Sequence, residues 1–485
     1  MEATASAADV RAEPAPSMSN GTDARSEAGV SMGADASSEP GVSPAGDANV
    51  DITAPDAPPD VSARSSDASD ASVRGDVGDT SARDVVEAEV GPTCGPCVGP
   101  VRGQGAAVCE NGACVIHCNA GLTLCGGDSC VDLQSDAADC GRCGHSCQGG
   151  ACTTAQCQPI TIAPASFAMS LAVDASFVYW AESQDPSRGA SAGSIRRAPI
   201  GGGGTFTLIA GNQPSPSAIA VNASGLLWIN LGTGGTLPGG LMYLAPGAID
   251  PIAVATAYSG PAGPLALSAT QVYWFDNTPV LEPGGGSGRG EGLLSLPLTA
   301  QSLTPTATPT VLMTTTVNCV IAMALNATNV FFTQSGCTAR SGLVQTATLS
   351  PLAGPTSLLP AGTFLNGPYT NNAGVFGTAQ ARMAVDARNV YFASTDLAEV
   401  LQSIPLAGGG PTTLSPTGAP NGVAVDGAYV YWTDVTTVNA IPIGGGAAIT
   451  LASGQATPYD IVLDANSVYW TNYASPGTVM KVAKP

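Results

Sequence analysis

The 485 residues predict an all-β chain built from repeats, and three observations carry that prediction. One motif recurs seven times. Its fullest copy is VAVDGAYVYWTD at residues 423–434, and the others are LAVDASFVYW, IAVNASGLLW, LALSATQVYW, MALNATNVFF, MAVDARNVYF and IVLDANSVYW, which close on Trp180, Trp228, Trp274, Phe332, Phe392 and Trp470. In every copy a turn-forming residue stands six positions ahead of the closing aromatic: Asp174, Asn222, Ser268, Asn326, Asp386, Asp426 and Asp464. The second observation is composition. Residues 159–485 are rich in Val, Ile, Tyr, Trp and Thr and are punctuated by Gly and Pro, the signature of short antiparallel strands. The third is that the two ends of the array complement each other. The last repeat stops after three strands at residues 477–485, and an orphan strand, PITIA at 159–163, precedes the first repeat.

Each repeat reads as four strands. In the sixth, an apolar strand at 422–425 leads into the turn, and a second at 429–433 holds the Tyr-Trp pair. A third at 437–442 ends in Pro, and a fourth, AITLASG, follows the Gly444-Gly445-Gly446 turn. The motif spacings are 48, 46, 58, 60, 40 and 38 residues. Four-stranded units of this length are propeller blades, so the expected fold is a seven-bladed β-propeller; six blades with a degenerate repeat is the alternative count. The orphan strand should complete the last blade and leave the ring without an open edge. AVDGAYVYWTD resembles the YWTD signature of receptor-type β-propellers, and the array is similar to the wider NHL/YWTD group. The tetrad is complete only at Tyr431–Trp432–Thr433–Asp434 and ends elsewhere in Glu182, Asn230, Asp276, Gln334, Ser394 and Asn472. Seven repeats depart from the six blades of the receptor type, so the resemblance implies the fold and no particular ligand.

Two further segments precede the array. Residues 1–93 contain no aromatic residue and carry 18 Asp/Glu against 5 Lys/Arg, a net of 5 − 18 = −13 within a chain total of −21. Such a segment cannot bury enough apolar surface to offset its ordering entropy and reads as a disordered acidic spacer. Residues 94–158 hold twelve of the fourteen cysteines: Cys94, Cys97, Cys109, Cys114, Cys118, Cys125, Cys130, Cys140, Cys143, Cys147, Cys152 and Cys157. This density reads as a disulfide module whose pairing the spacing leaves open. Zinc is the competing reading, since Cys94-x2-Cys97 and Cys140-x2-Cys143 have ligand spacing and both histidines, His117 and His145, lie here. The stretch CVDLQSDAADCGRCGHSC, with its CGxCGxxC core at Cys140, Cys143 and Cys147, resembles the Cys-rich repeat of the STIG-like family; that likeness implies an extracellular module and no catalytic residue.

Function classes narrow accordingly. The acidic balance argues against nucleic-acid binding, and no stretch reaches the ~20 apolar residues of a membrane span. Cysteine density calls for an export route, although the first residues show no basic, apolar signal pattern; the expectation is that the true start lies upstream. The array contains no histidine, which excludes a His base or a His-held metal there. The repeated Asp, Asn and Ser residues read as structural turn-formers. Cys319 and Cys337 sit almost symmetrically about the hairpin of the fourth repeat and are expected to form a disulfide.

Loop length is the remaining signal. Length accumulates between strands 2 and 3 (181–192, 231–239, 275–291) and between blades (360–380), two connection types that emerge on the same face. Insertions gathered on one face mark it for binding, and here it would carry Asp185, Glu282, Arg289, Glu291, Phe364, Tyr369 and Phe376. The expected function is therefore an exported or surface-held, monomeric, non-catalytic binding protein for a protein or a cell-envelope carbohydrate. A hydrolase or lyase acting on a polysaccharide or ester in the central channel is one alternative, and a structural surface protein is the other. No cofactor is predicted; a divalent cation in the channel is the one the architecture admits.

Overall fold

The computed structural model describes residues 94–99, 104–183, 193–232, 239–258, 264–276, 279–281, 287–289, 291–299, 303–315, 320–334, 343–360, 383–394, 400–416 and 418–485. Seven four-stranded antiparallel sheets make up the ring, each a meander in chain order except the last. The innermost strands are Ala168–Val173, Pro216–Asn222, Leu265–Leu267, Val320–Leu325, Met383–Val385, Val423–Val425 and Pro458–Leu463. Among the described residues there is no helix, and so none long and apolar enough to cross a membrane.

Blade 7 takes three strands from the end of the array, Pro458–Leu463, Ser467–Asn472 and Gly477–Ala483, and its outer strand, Ile160–Ala165, from before the first repeat. Gly477 faces Ala165 and Lys481 faces Ile160. The closing strand runs two residues further than its sequence suggests, through Pro164. Proline is tolerated there because an edge strand needs no N–H on its outer side. Ile162 and Ala163 are fully buried in a core shared with Trp180 of blade 1 and Tyr469 of blade 7.

The core consists of a series of layers between neighbouring blades. The motif aromatics fill these layers: Trp180, Trp228, Trp274, Phe332, Phe392 and Trp470 are at most 1% exposed. Blade 3 departs from a plain meander. A two-stranded hairpin, Pro279–Leu281 with Ser287–Arg289, is inserted between its second and third strands.

The Cys-rich segment forms three small hairpins and six disulfides: Cys94–Cys109, Cys97–Cys114, Cys118–Cys130, Cys125–Cys143, Cys140–Cys152 and Cys147–Cys157. Every cysteine of the candidate zinc pairs is consumed in a disulfide, which fits an oxidising compartment. The pairs close loops of 10 to 18 residues, each constraint stabilising by about 2–3 kcal/mol in the chain-entropy view.

The segment does not stand alone, as its composition would suggest. Cys140, Cys147, Cys152 and Cys157 share one apolar core with Tyr431, Leu451, Trp470 and Val482 of blades 6 and 7. Gln156 donates to the Thr450 carbonyl at 2.6 Å, and His145 lies with Nδ1 2.6 Å from the Cys140 carbonyl and Nε2 2.8 Å from that of Lys484. A segment too poor in apolar residues to build a core thus borrows one.

Candidate functional site

The recurring turn shows what each motif residue does. In the four Asp copies, one carboxylate oxygen accepts two backbone N–H groups, those of Ser176 and Phe177, Arg388 and Asn389, Ala428 and Tyr429, or Asn466 and Ser467, at 2.6–2.9 Å. The other oxygen accepts the hydroxyl of a tyrosine five residues on: Tyr179, Tyr391, Tyr431 or Tyr469, at 2.7–2.9 Å. Asn222 accepts the backbone N–H of Ser224 and Asn326 accepts those of Thr328 and Asn329, but they are followed five residues on by Leu227 and Phe331, which offer no hydroxyl. Ser268 accepts from Thr270 and Gln271.

Each turn carboxylate therefore comes with a tyrosine, because a second anionic oxygen at a half-buried site needs a donor. The tyrosine does not require the carboxylate, since Tyr273 of blade 3 stands five residues after Ser268 and bonds to it. Burial pushes the Tyr391 hydroxyl up to about 12, with its bond to Asp386 adding to the effect. Asp426 experiences the opposite balance: burial raises it, but the bonds from Tyr429, Ala428, Lys484 and Tyr431 outweigh burial and hold it below the usual carboxylate range. Lys484 completes that group with an ion pair to Asp426 at 3.0 Å. Replacing Tyr469 by Phe should destabilise the protein by about 1–2 kcal/mol in urea denaturation. Asp464→Asn in the Tyr469→Phe background should recover part of that loss, since the pair then copies blade 4. Greater loss in the double variant would contradict the coupling.

The rest of the tetrad is structural too. The Thr433 hydroxyl accepts from Gly422 N at 2.8 Å and donates to the Tyr459 carbonyl at 2.7 Å, stitching blade 6 to blade 7. Asp434 accepts from Ala419 N and Val435 N, both at 2.7 Å. Gly418 must be glycine for this, because a Cβ there would overlap the Asp434 carboxylate and its φ is +109°.

Down the centre of the ring runs a cavity of about 390 Å³ to which all seven inner strands contribute. The residues lining it are aliphatic apart from Asp460, with half-buried Val173, Val221, Leu267 and Val462 among them, but the surface they present is as much polar backbone as side chain. Among the described lining residues the one ionisable group is Asp460. It is 1% exposed and belongs to the blade 7 inner strand. Its oxygens accept Leu171 N of blade 1 at 2.7 Å and Ile461 N at 3.0 Å, and the Ser170 hydroxyl bonds to it as well. Ser170 in turn accepts Ile219 N of blade 2 at 3.2 Å, so a polar relay runs across three inner strands. Burial drives the Asp460 carboxyl up to about 7, against the bonds from Leu171, Ile461 and Ser170, which pull it down.

A single carboxylate is not a donor set for a divalent cation, which takes six or more oxygens or keeps several waters. It also lacks the second carboxylate of an acid–base pair. Asp460 lies outside the repeated motif. The available signal was register: Asp460 precedes the residue paired with the motif aromatic, the position held by Ser170, Ala218, Ala322 and Gly422 in other blades.

The residues expected on the long-loop face fall mainly outside the description. Asp185, Glu282, Phe364, Tyr369 and Phe376 lie outside the described residues, as do Cys319 and Cys337. Arg289 ends the inserted hairpin of blade 3, and Glu291 opens that blade's third strand opposite Thr315. The backbone thus brings these two together at the connection between strands 2 and 3.

The Cys-rich segment occupies the other end of the blades. Lys484, whose carbonyl His145 approaches, donates its N–H to Asn466 in a strand 1–2 turn, and Gly204 N in the blade 1 strand 3–4 turn donates to Ile162 at the start of the closing strand. On the long-loop side, at the seam of blades 7 and 1, Tyr473 packs between Phe167 and Tyr459 with ring centroids 5.5 and 5.3 Å apart.

The chain is thus a seven-bladed β-propeller closed by a strand from before its first repeat and carrying a disulfide-rich segment on its short-turn end. No protein-family model matches it, and comparison with curated proteins finds no match. Among solved structures it is similar to a chain of the nidogen/laminin complex (12% identity, 54% of this chain and 91% of that one, TM-score 0.37). It is also similar to virginiamycin B lyase from Staphylococcus aureus (11% identity, 68% and 99%, TM-score 0.44). A third likeness is to a puromycin-hydrolyzing peptidase from Mycobacterium tuberculosis (12% identity, 65% of this chain, TM-score 0.45), of which the chain spans about half, 49%. At these values the likenesses carry no activity, substrate or partner to this chain.

Proposed function

We propose that this protein is an exported or cell-surface binding protein that engages a protein or a cell-envelope carbohydrate through the long-loop face of its propeller. One observation carries the reading. The connections that vary in length, between strands 2 and 3 and between blades, share the end of the ring opposite the Cys-rich segment. The Cys-rich segment is docked at one end, on blades 6 and 7, while the chain spends its variable length at the other. The six disulfides support an extracellular setting, and the YWTD-like motif supports a scaffold role for the repeats, because its polar atoms are engaged in turns and stitches between blades.

The test is affinity capture from extracellular and envelope fractions with the full chain, beside a variant in which residues 283–290 are shortened. The expected result is a partner held by the intact protein and lost by the variant. Capture of nothing, or equal capture by both, would sink the proposal.

A further inference from the structure

We propose that the central cavity is a binding site for a small organic ammonium ion with an apolar body, with the Asp460 carboxylate as its counter-charge. The inference is independent of the long-loop face and rests on the cavity. Its volume of about 390 Å³ falls within the range of small-molecule pockets, and its lining combines aliphatic side chains, backbone polar groups and one ionisable side chain. Val173, Val221, Leu267 and Val462, each half-buried, offer the ligand body an apolar surface from four different blades.

The carboxylate has room for one more donor. An ionised carboxylate offers about four lone-pair sites. Leu171 N, Ile461 N and the Ser170 hydroxyl engage three of them. The same three bonds fix the group in place, so a ligand meets an acceptor already oriented.

No protein cation competes for it among the described residues. The strands packed against its own strand, Ala168–Val173, Val423–Val425, Tyr429–Thr433 and Ser467–Asn472, carry no Asp, Glu, Lys, Arg or His, and their titratable side chains are Tyr429, Tyr431 and Tyr469. Ser170 bonds the Asp460 carboxyl, and the Thr471 hydroxyl accepts its backbone N–H. A buried carboxylate without a counter-ion holds its proton unusually tightly, and Asp460 is raised to about 7. An arriving ammonium reverses that balance and expels the proton. Neutral molecules of the same shape gain only the apolar contact. Divalent cations gain little, since one carboxylate cannot replace their hydration shell.

The probe is hexylammonium, with hexanol as its uncharged counterpart, titrated calorimetrically into the full-length protein at about pH 8.5 and about pH 5.5. Hexylammonium should bind about tenfold or more tightly at the higher pH, and hexanol should show no such dependence. At about pH 6.5, titrations in buffers of different ionisation enthalpy should report release of a fraction of a proton per hexylammonium bound. Surface carboxylates, already ionised there, cannot release one. Asp460→Asn should abolish both the proton release and the preference for the ammonium. If that variant fails to fold, proton release by the unaltered protein still decides the matter. Equal binding of both probes, absence of proton release, or no binding at millimolar concentration would overturn the proposal.

Discussion

Raising the pH from about 4 to about 8 is expected to cost the folded ring about 4 kcal/mol through Asp460 alone. The carboxyl moves from 3.8 to about 7 on folding because burial penalises its charge. The folded state therefore binds this proton more tightly than the unfolded one. Its contribution to stability is complete below the unfolded value, near 4, and is lost as pH rises through the folded value, near 7. At ~1.4 kcal/mol for each tenfold difference in proton affinity, the fall reaches about 4 kcal/mol. Urea denaturation across this range, compared between the native sequence and Asp460→Asn, isolates the group from other titrating residues. The difference should vary in that window and flatten above about pH 8. A constant difference would mean that Asp460 ionises normally in the folded ring.

The second large effect concerns closure. Ile162→Ala should destabilise the protein by about 2–5 kcal/mol, the range for deleting most of a buried aliphatic side chain. Ile162 is fully buried where the closing strand meets Trp180 and Tyr469, so the cavity opens at the seam between the first and last blades. Thermal unfolding should show a lowered Tm with the transition still cooperative. A loss below ~0.5 kcal/mol would show that the strand is held mainly by its backbone ladder and not by this side chain.

The ring was legible in the sequence because its signals are local and repeated. A turn residue six positions before an aromatic fixes one hairpin, and seven copies fix the count. The strand at 159–163 was recognisable because the last repeat lacked its partner. The pairing of the twelve cysteines was not, since contacts among short hairpins obey no period. Nor was the docking of Cys140, Cys147, Cys152 and Cys157 onto blades 6 and 7, because small residues and sulfur atoms leave no amphipathic pattern to read. Asp460 sits off the motif, and its meaning depends on seven strands converging. The link between the turn carboxylate and the tyrosine five residues on was present in the sequence. It needed the geometry to be noticed, because the Asn, Leu and Phe of blades 2 and 4 explain the rule only once the hydroxyl contact is seen.

The closing strand also sets a timetable for synthesis. Ile160 pairs with Lys481, and Ala165 with Gly477, so partners made early in translation must wait for nearly the whole array to be produced. Until residues 477–483 leave the ribosome, the first six blades stand as an open arc with the inner face of blade 1 lacking its neighbour. Non-local pairings of this kind are slow to form and expose strand edges in the meantime.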